Sequence, residues 1–224
     1  MKERALQLTS DGSHTIMHHQ LNQTYHSRHG ALQESLHVFI EAGLRPAMQS
    51  NQSLSIFEFG FGTGLNAWLT AIESASNNFP IYYETIEAFP VEEALWRMLN
   101  FGTLKYSHAD AGLLTKLHEA PWETVTEIHP FFQLKKLHCS FVEYQPSSLF
   151  DLIYFDAFSP NAQPELWTVA VFEKLYGMMN EGGLLTTYCS KSYVRRNMQA
   201  AGFVVKKLAG PPGKREMLTA GKTG

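Results

Sequence analysis

Residues 58–64 read Glu-Phe-Gly-Phe-Gly-Thr-Gly. Three glycines at alternate positions, Gly60, Gly62 and Gly64, follow an apolar run and lead into a helical pattern. Backbone without Cβ atoms lets a ligand lie against the chain, and unpaired amides at a helix N-terminus favour polar or anionic groups. The spacing departs from the G-x-G-x-x-G loop that cradles a dinucleotide pyrophosphate, and no G-x-x-x-x-G-K-[ST] loop occurs. A dinucleotide oxidoreductase is therefore disfavoured. Asp156 closes the apolar run DLIYF and precedes a loop with two prolines. An aspartate there commonly caps a turn, and its residue type alone does not separate that role from a chemical one. His14 and His18 have helical i, i+4 spacing, but no cysteine or acid completes a ligand set and there is no H-E-x-x-H. No metal is expected.

The elements that must hold the glycine loop can be read from periodicity. LSIFEF, residues 54–59, is a short apolar run closed by glycines, which suits a buried strand. NAWLTAIESAS follows as a helix. IYYETIE is the next strand, by its β-branched and aromatic residues, and VEEALWRML and AGLLTKLHEA are helices. FFQLKKLHCSFVEY has strand-like residues without a clean period. DLIYFDAF is a buried strand, ELWTVAVFEKLYGMM a helix ending near Gly182–Gly183, LLTTYC a strand, and KSYVRRNMQAAG a helix with a glycine stop. FVVKKLA and KREMLTA are strands joined by the turn GPPG, and so must be antiparallel. Upstream, HGALQESLHVFIEAGL is an amphipathic helix ended by Gly43 and Pro46, while residues 1–20 are polar and carry no strong period. Strands alternating with helices predict a parallel α/β sheet.

The 224 residues suit a single domain with a substantial core, 44% hydrophobic and 17% charged. No apolar signal region or bilayer-length run occurs, and Cys139 and Cys189 read as reduced thiols, so a cytoplasmic protein is expected. Net charge is −3, but from Ser190 onward eight basic residues face one acid, Glu216. A basic C-terminal end on an acidic body suits either a polyanion surface or ordinary solvated positions.

The pattern E-x-G-x-G-x-G, with Glu87 ending the second strand and a reversed final strand, resembles class I S-adenosylmethionine-dependent methyltransferases. More specifically, FEFGFGTGLN, DAFSPNAQPELW and GPPGKREML, with YHSRHGALQESLHVF and YVRRNMQAAGF, resemble the MnmC methyltransferase family over about residues 24–220. The resemblance implies an α/β, Rossmann-like fold: a mostly parallel seven-stranded sheet with an antiparallel last strand and helices on both faces. Residues 1–50 would be an N-terminal extension with its first helix, bearing Glu34, and residues 54–220 the core. It implies a tRNA-modifying enzyme that methylates the amine of 5-aminomethyl-2-thiouridine at the wobble position. Many relatives are fused to a flavin-dependent oxidoreductase that prepares that amine; this chain resembles the methyltransferase part, so a separate oxidoreductase is the expected partner.

By motif position the resemblance places Glu58, Gly60, Gly62, Thr63, Gly64, Asn66, Glu87, Ala88 and Ser140 at the cofactor, with Glu87 on the ribose hydroxyls. Ser140 stands where relatives carry an acid near adenine. Asp156 falls at the acceptor nitrogen, where a carboxylate could orient an ammonium, help its proton leave and stabilise developing charge. Arg195, Arg196, Lys214 and Arg215 would contact anticodon-stem phosphates. Phe158, in the loop after Asp156, would face a flipped base. Two alternatives remain at this stage: another amine or RNA acceptor, and a non-catalytic RNA- or partner-binding domain on the same fold, which the Ser140 departure would suit.

Overall fold

The structure, a computed structural model, describes residues 4–104 and 112–223. Its strands are β1 (Arg4–Leu8), β2 (His14–His18), β3 (Gln23–Thr24), β4 (Leu54–Phe59), β5 (Ile81–Ile86), β6 (Val125–His129), β7 (Phe132–Leu137), β8 (Phe150–Phe155), β9 (Met179–Thr187), β10 (Val204–Ala209) and β11 (Glu216–Gly221). The last eight form one sheet in the order β10-β11-β9-β8-β4-β5-β7-β6. β9, β8, β4, β5 and β7 are mutually parallel, and β11 runs antiparallel between β9 and β10. The expected doubly wound sheet with its reversed final strand is thus present.

Alternation along the central strands divides the core in two. Ile56, Leu152 and Tyr154 face Val38, Phe39, Trp68 and Leu69 on one side. Phe57, Ile153 and Phe155 face Phe172, Leu175, Val194 and Met198 on the other. Successive strand residues point to opposite faces, and helical crossovers cover both, so a parallel strand must be apolar throughout. Among the described residues no helix is long and apolar enough to cross a membrane.

Several elements differ from expectation. An eighth strand, β6, pairs antiparallel with β7 at the sheet edge with a bulge at Glu127/His129; buried only at Ile128, it lacks an apolar stripe to announce it. FFQLKKLHCSFVEY resolves into β7 followed by a loop. VEEALWRML is helical only over Glu93–Trp96. The helix expected over AGLLTKLHEA is Leu113–Glu119, and Ala111 lies outside the described residues. Gly182–Gly183 does not stop a helix but sits inside β9, where pairing with β8 shifts register. Gly43 and Pro46 do not stop the first helix either. Ala31–Ser35, Leu36–Leu44 and Arg45–Ser50 are consecutive, the middle piece π-helical. Gly43 lets that helix close on β9, since a Cβ there would lie 3.0 Å from Thr186 Cγ2. Pro46 occupies the first turn of the last piece, where proline is tolerated.

The largest departure is at the N-terminus. β1, β2 and β3 make a separate antiparallel sheet. Asp-Gly at 11–12 is the hairpin signal between β1 and β2. This hairpin also caps the first helix: Thr9 Oγ1, Ser13 Oγ and Asp11 Oδ2 accept the amides of Ala31, Leu32 and Gln33 at 3.3, 3.1 and 3.0 Å. Three otherwise orphaned amides are satisfied from a distant segment, with Gly30 preceding them. Arg4, buried, reaches a segment distant in sequence and donates to the carbonyls of Phe89 and Pro90, both at 2.9 Å.

Candidate active site

A cavity of about 600 Å³ opens beyond the carboxyl ends of β4, β5 and β8, roofed by the N-terminal sheet. This is where open parallel sheets take ligands, and its volume is ordinary for a ligand site. Gly60, Gly62, Thr63, Asn66, Glu87, Ala88, Ser140, Asp156, Phe158 and Lys214 all line it.

The glycine loop is pinned from below. The amides of Gly60 and Phe61 both donate to the Ile86 carbonyl at 3.1 Å, and the Gly64 amide to Phe61 O at 2.8 Å. Gly60, Gly62 and Gly64 hold φ of 90°, 52° and 72°, a region that side chains disfavour. A Cβ on Gly62 would meet the Tyr25 ring at 3.2 Å, and one on Gly64 would meet His118 Nε2 and Phe61 at 3.1 Å. Glu87 ties the loop to the end of β5: Oε2 accepts the Gly62 amide and Oε1 the Phe89 amide, each at 2.9 Å. A carboxylate has about four acceptor sites, so these two bonds leave room for hydroxyls.

Two histidines hold the loop from either side. His118 Nε2 lies 3.0 Å from the Thr63 carbonyl and must donate to it. Its ring stacks on Trp96, and burial pushes its pKa down to about 4. His26, buried and likewise lowered to about 4 by burial, sits between Thr15 Oγ1 at 3.2 Å and Thr63 Oγ1 at 3.3 Å. Both rings are neutral spacers at physiological pH.

At the opposite end, Asn66 Nδ2 donates to Asp156 Oδ2 at 2.9 Å. Asp156 is half-buried and opens onto the cavity. Burial pushes its pKa up to about 7, Glu34 adding to the rise while Asn66 and Lys214 oppose it. Phe158 meets Tyr25 edge-on at 5.1 Å and His18 at 6.0 Å, so the loop after Asp156 and the N-terminal sheet share one aromatic wall. Ser159 Oγ donates to Gln23 Oε1 at 3.2 Å, which closes the two segments on each other.

These observations fit an adenosyl amino-acid cofactor. The cradle bars Cβ atoms at the loop, Glu87 keeps acceptor capacity, and Asn66 Oδ1 is a buried oxygen without a hydrogen-bond partner beside the cavity. Ser140 also lines the cavity, although its hydroxyl is committed to Glu143 Oε2 at 2.6 Å.

A family model described as S-adenosyl-L-methionine-dependent methyltransferase matches residues 134–223. The bifunctional MnmC protein for tRNA 5-methylaminomethyl-2-thiouridine biosynthesis from Methylobacillus flagellatus is 32% identical over 211 residues, covering 87% of this chain and 32% of the relative. Its counterpart from Ralstonia nicotianae is 30% identical, covering 96% of the chain and 34% of the relative. The chain thus spans about a third of the length of the curated relatives it matches. MnmC2 from Aquifex aeolicus, a crystal structure, superposes with a TM-score of 0.81 at 25% identity, over 99% of this chain and 71% of that one. Over nearly its whole length the chain is similar to MnmC proteins, and its fold is that of the class I methyltransferases.

Within this MnmC-like frame some expected site residues fall elsewhere. Glu58 does not line the cavity: it is fully buried beneath the loop beside Tyr83, Thr85 and Asn66. Burial, then Asp156, pushes its pKa well above the usual carboxylate range, so it is a neutral packing group. Gly64 shapes the loop without lining the cavity. Arg195, Arg196 and Arg215 also lie outside it, with Arg196 and Arg215 exposed. Lys214, expected at a phosphate, instead lies inside the cavity, ion-paired with Glu34. The MnmC-like site also recruits residues that periodicity missed: His18, Gln23, Tyr25, His26 and Ser27. His14 and His18 sit on a strand, so helical spacing does not pair them as metal ligands. The Asp-Gly turn was the one local signal for this roof.

Proposed function

We propose that this chain is an S-adenosylmethionine-dependent N-methyltransferase acting on the aminomethyl group of 5-aminomethyl-2-thiouridine at the wobble position of tRNA. The observation that carries the reading is Asp156, held by Asn66, at the end of a cavity floored by the glycine loop. MnmC-like kinship supports the acceptor. Gly60, Gly62, Thr63, Asn66, Glu87, Ala88 and Ser140 would hold the cofactor. When bound, it supplies an electrophilic methyl on a sulfonium.

The rest is the work of this chain's residues. An alkylammonium has a pKa of about 10 and no free lone pair. Asp156, half ionised near pH 7, binds the ammonium and accepts its proton. Matching the two groups means lowering the amine by ~3 units, or ~4 kcal/mol. A cavity walled by Phe158 and Tyr25 does this by disfavouring the charged form. Asn66 fixes the carboxylate's direction, so the freed lone pair is presented in one orientation. Arg196, Arg215 and Lys206, exposed at the basic end, would meet RNA phosphates. A cytoplasmic location, and a separate oxidoreductase that prepares the amine, belong to the same proposal.

The test is transfer of labelled methyl from S-adenosylmethionine to tRNA bearing the unmethylated amine, followed by nucleoside analysis. Label in 5-methylaminomethyl-2-thiouridine is expected. Label only in small amines would overturn the tRNA acceptor. Absence of both transfer and calorimetric binding of S-adenosylmethionine would overturn the enzyme.

A further inference from the structure

Asp156 shares the acceptor end with two charged residues drawn from distant parts of the chain. Glu34 comes from the first helix and Lys214 from the turn before β11, and both line the cavity. Lys214 Nζ pairs with Glu34 Oε1 and lies 3.9 Å from the centre of the Tyr188 ring. The other Glu34 oxygen accepts the Ser27 amide at 2.7 Å. Glu34 is only 6% exposed, so without Lys214 it would be a stranded buried charge. The Tyr188 hydroxyl donates to the carbonyl of Ala157, next to Asp156, at 2.8 Å. Cation, ring and acid loop are therefore one block.

Lys214 thus spends its charge inward, away from any phosphate. The remaining ionisable groups that face Asp156 are Glu58 on β4, Tyr83 on β5 and Tyr188 after β9, and burial holds all three neutral. Among the described residues, the other ionic influences on Asp156 are Glu34 and Lys214.

We infer that Glu34 and Lys214 form an internal compensating pair, so that the acceptor end carries at most the single negative charge of Asp156 and is thereby matched to a singly cationic amine. Lys214 is a positioning residue acting through Glu34. The identity of the acceptor rests on the function proposed above; the charge coupling does not.

The experiment is a ¹³C-carboxyl NMR titration of Asp156 in the ligand-free full chain, run on wild type, Lys214→Met, Glu34→Gln, Lys214→Arg and the Glu34→Gln/Lys214→Met double variant. Removing the cation should raise the Asp156 midpoint and removing the anion should lower it, each by ~0.5 pH unit or more. The double variant should fall between them, and Lys214→Arg, which keeps the charge, should stay near wild type. The acidic limb of kcat/KM should move in the same directions, and Glu34→Gln, which leaves an uncompensated cation, should raise KM for the amine more than it lowers kcat. Should Lys214→Met fail to fold, the double variant, which strands no charge, is compared with Glu34→Gln. Midpoints that stay put, or single variants that shift the same way, overturn the inference. Midpoints that move as described while no methyl reaches tRNA would uphold the pair and count against the acceptor alone.

Discussion

Desolvation in the cavity, with Glu34 nearby, pushes the Asp156 pKa up to about 7. A base that must be ionised to hold an ammonium loses activity as pH falls through that value, so kcat/KM should rise between pH 6 and 8 with an inflection near 7. Asp156→Asn should retain S-adenosylmethionine binding by calorimetry and lose ~10²-fold or more in kcat. The same substitution has a stability signature. A carboxyl whose pKa is raised by folding supports the fold fully below its unfolded value of 3.8, and that support is lost as pH rises through 7. The asparagine variant should therefore melt above wild type at pH 8, with the gap closing toward pH 4. Gly62 is constrained twice, by a φ of 52° and by the Tyr25 ring. Gly62→Ala should cost ~1–3 kcal/mol, shared between stability and cofactor affinity, and titration calorimetry at matched folded concentration reads the second share. Unchanged affinity would mean that the loop is not the cofactor cradle.

The N-terminal sheet is an element with little core of its own. Ile16 is its buried anchor, packed with Val91 and Trp96. It is held over the cavity by polar latches: Arg4 on the segment after Glu87, Ser159 with Gln23 on the Asp156 loop, and Asn100 with His14 and Gly12 on the turn. Hydrogen bonds from a charged donor contribute about 1.5–3 kcal/mol each. Arg4→Gln should therefore speed amide exchange across β1 and β2 by at least ~10-fold and leave β4 and β8 as slow as before. Equal protection in both proteins would show that Ile16 alone secures the roof. β9 carries its glycines for a similar mechanical reason. A Cβ at Gly183 would stand 2.8 Å from the Asn180 carbonyl, so the bulge that resets the register with β8 requires it.

For the whole molecule, buried neutral groups make stability depend on pH in opposing ways. His26 and His118 have folded pKa values near 4 against about 6.5 unfolded. The unfolded chain takes up their protons first, so the stability they allow is complete above pH 6.5 and is lost as pH falls toward 4. Glu58 and Asp156 shift the other way over part of that window. A single variant separates the terms. His26→Gln should be less stable than wild type at pH 7.5 through lost contacts with Thr15 and Thr63, and the difference should shrink on acidification by up to ~2–3 kcal/mol. Denaturant unfolding at pH 7.5 and 4.5 measures it, and a pH-independent difference would mean that His26 is not held neutral. The basic C-terminal end divides at this scale as well. Lys214 faces inward, Lys207 and Lys222 pair with Glu216 and Glu181, and Arg196, Arg215 and Lys206 remain exposed.

What the sequence by itself determined are the features written in local spacing. The bounds of β4, the existence of β8, the bare glycine loop, Glu87 and Asp156 at strand ends, and the reversed pair around GPPG all follow from patterns a few residues long. A buried parallel strand has to be apolar throughout, and a backbone with positive φ favours glycine. Only the tertiary structure decided what depends on partners far along the chain. Arg4 finds carbonyls 85 and 86 positions away, and Lys214 finds Glu34 180 positions away. Nothing in the neighbourhood of Lys214 distinguishes an internal cation from a phosphate contact, because that choice belongs to the acid it meets. Glu58 lies within the glycine motif yet points beneath the loop, since alternation along β4 turns its side chain toward Tyr83 and Thr85. The roof over the cavity left one local trace, the Asp-Gly turn. Its strands are short and are held by side chains of the core rather than by an apolar stripe of their own.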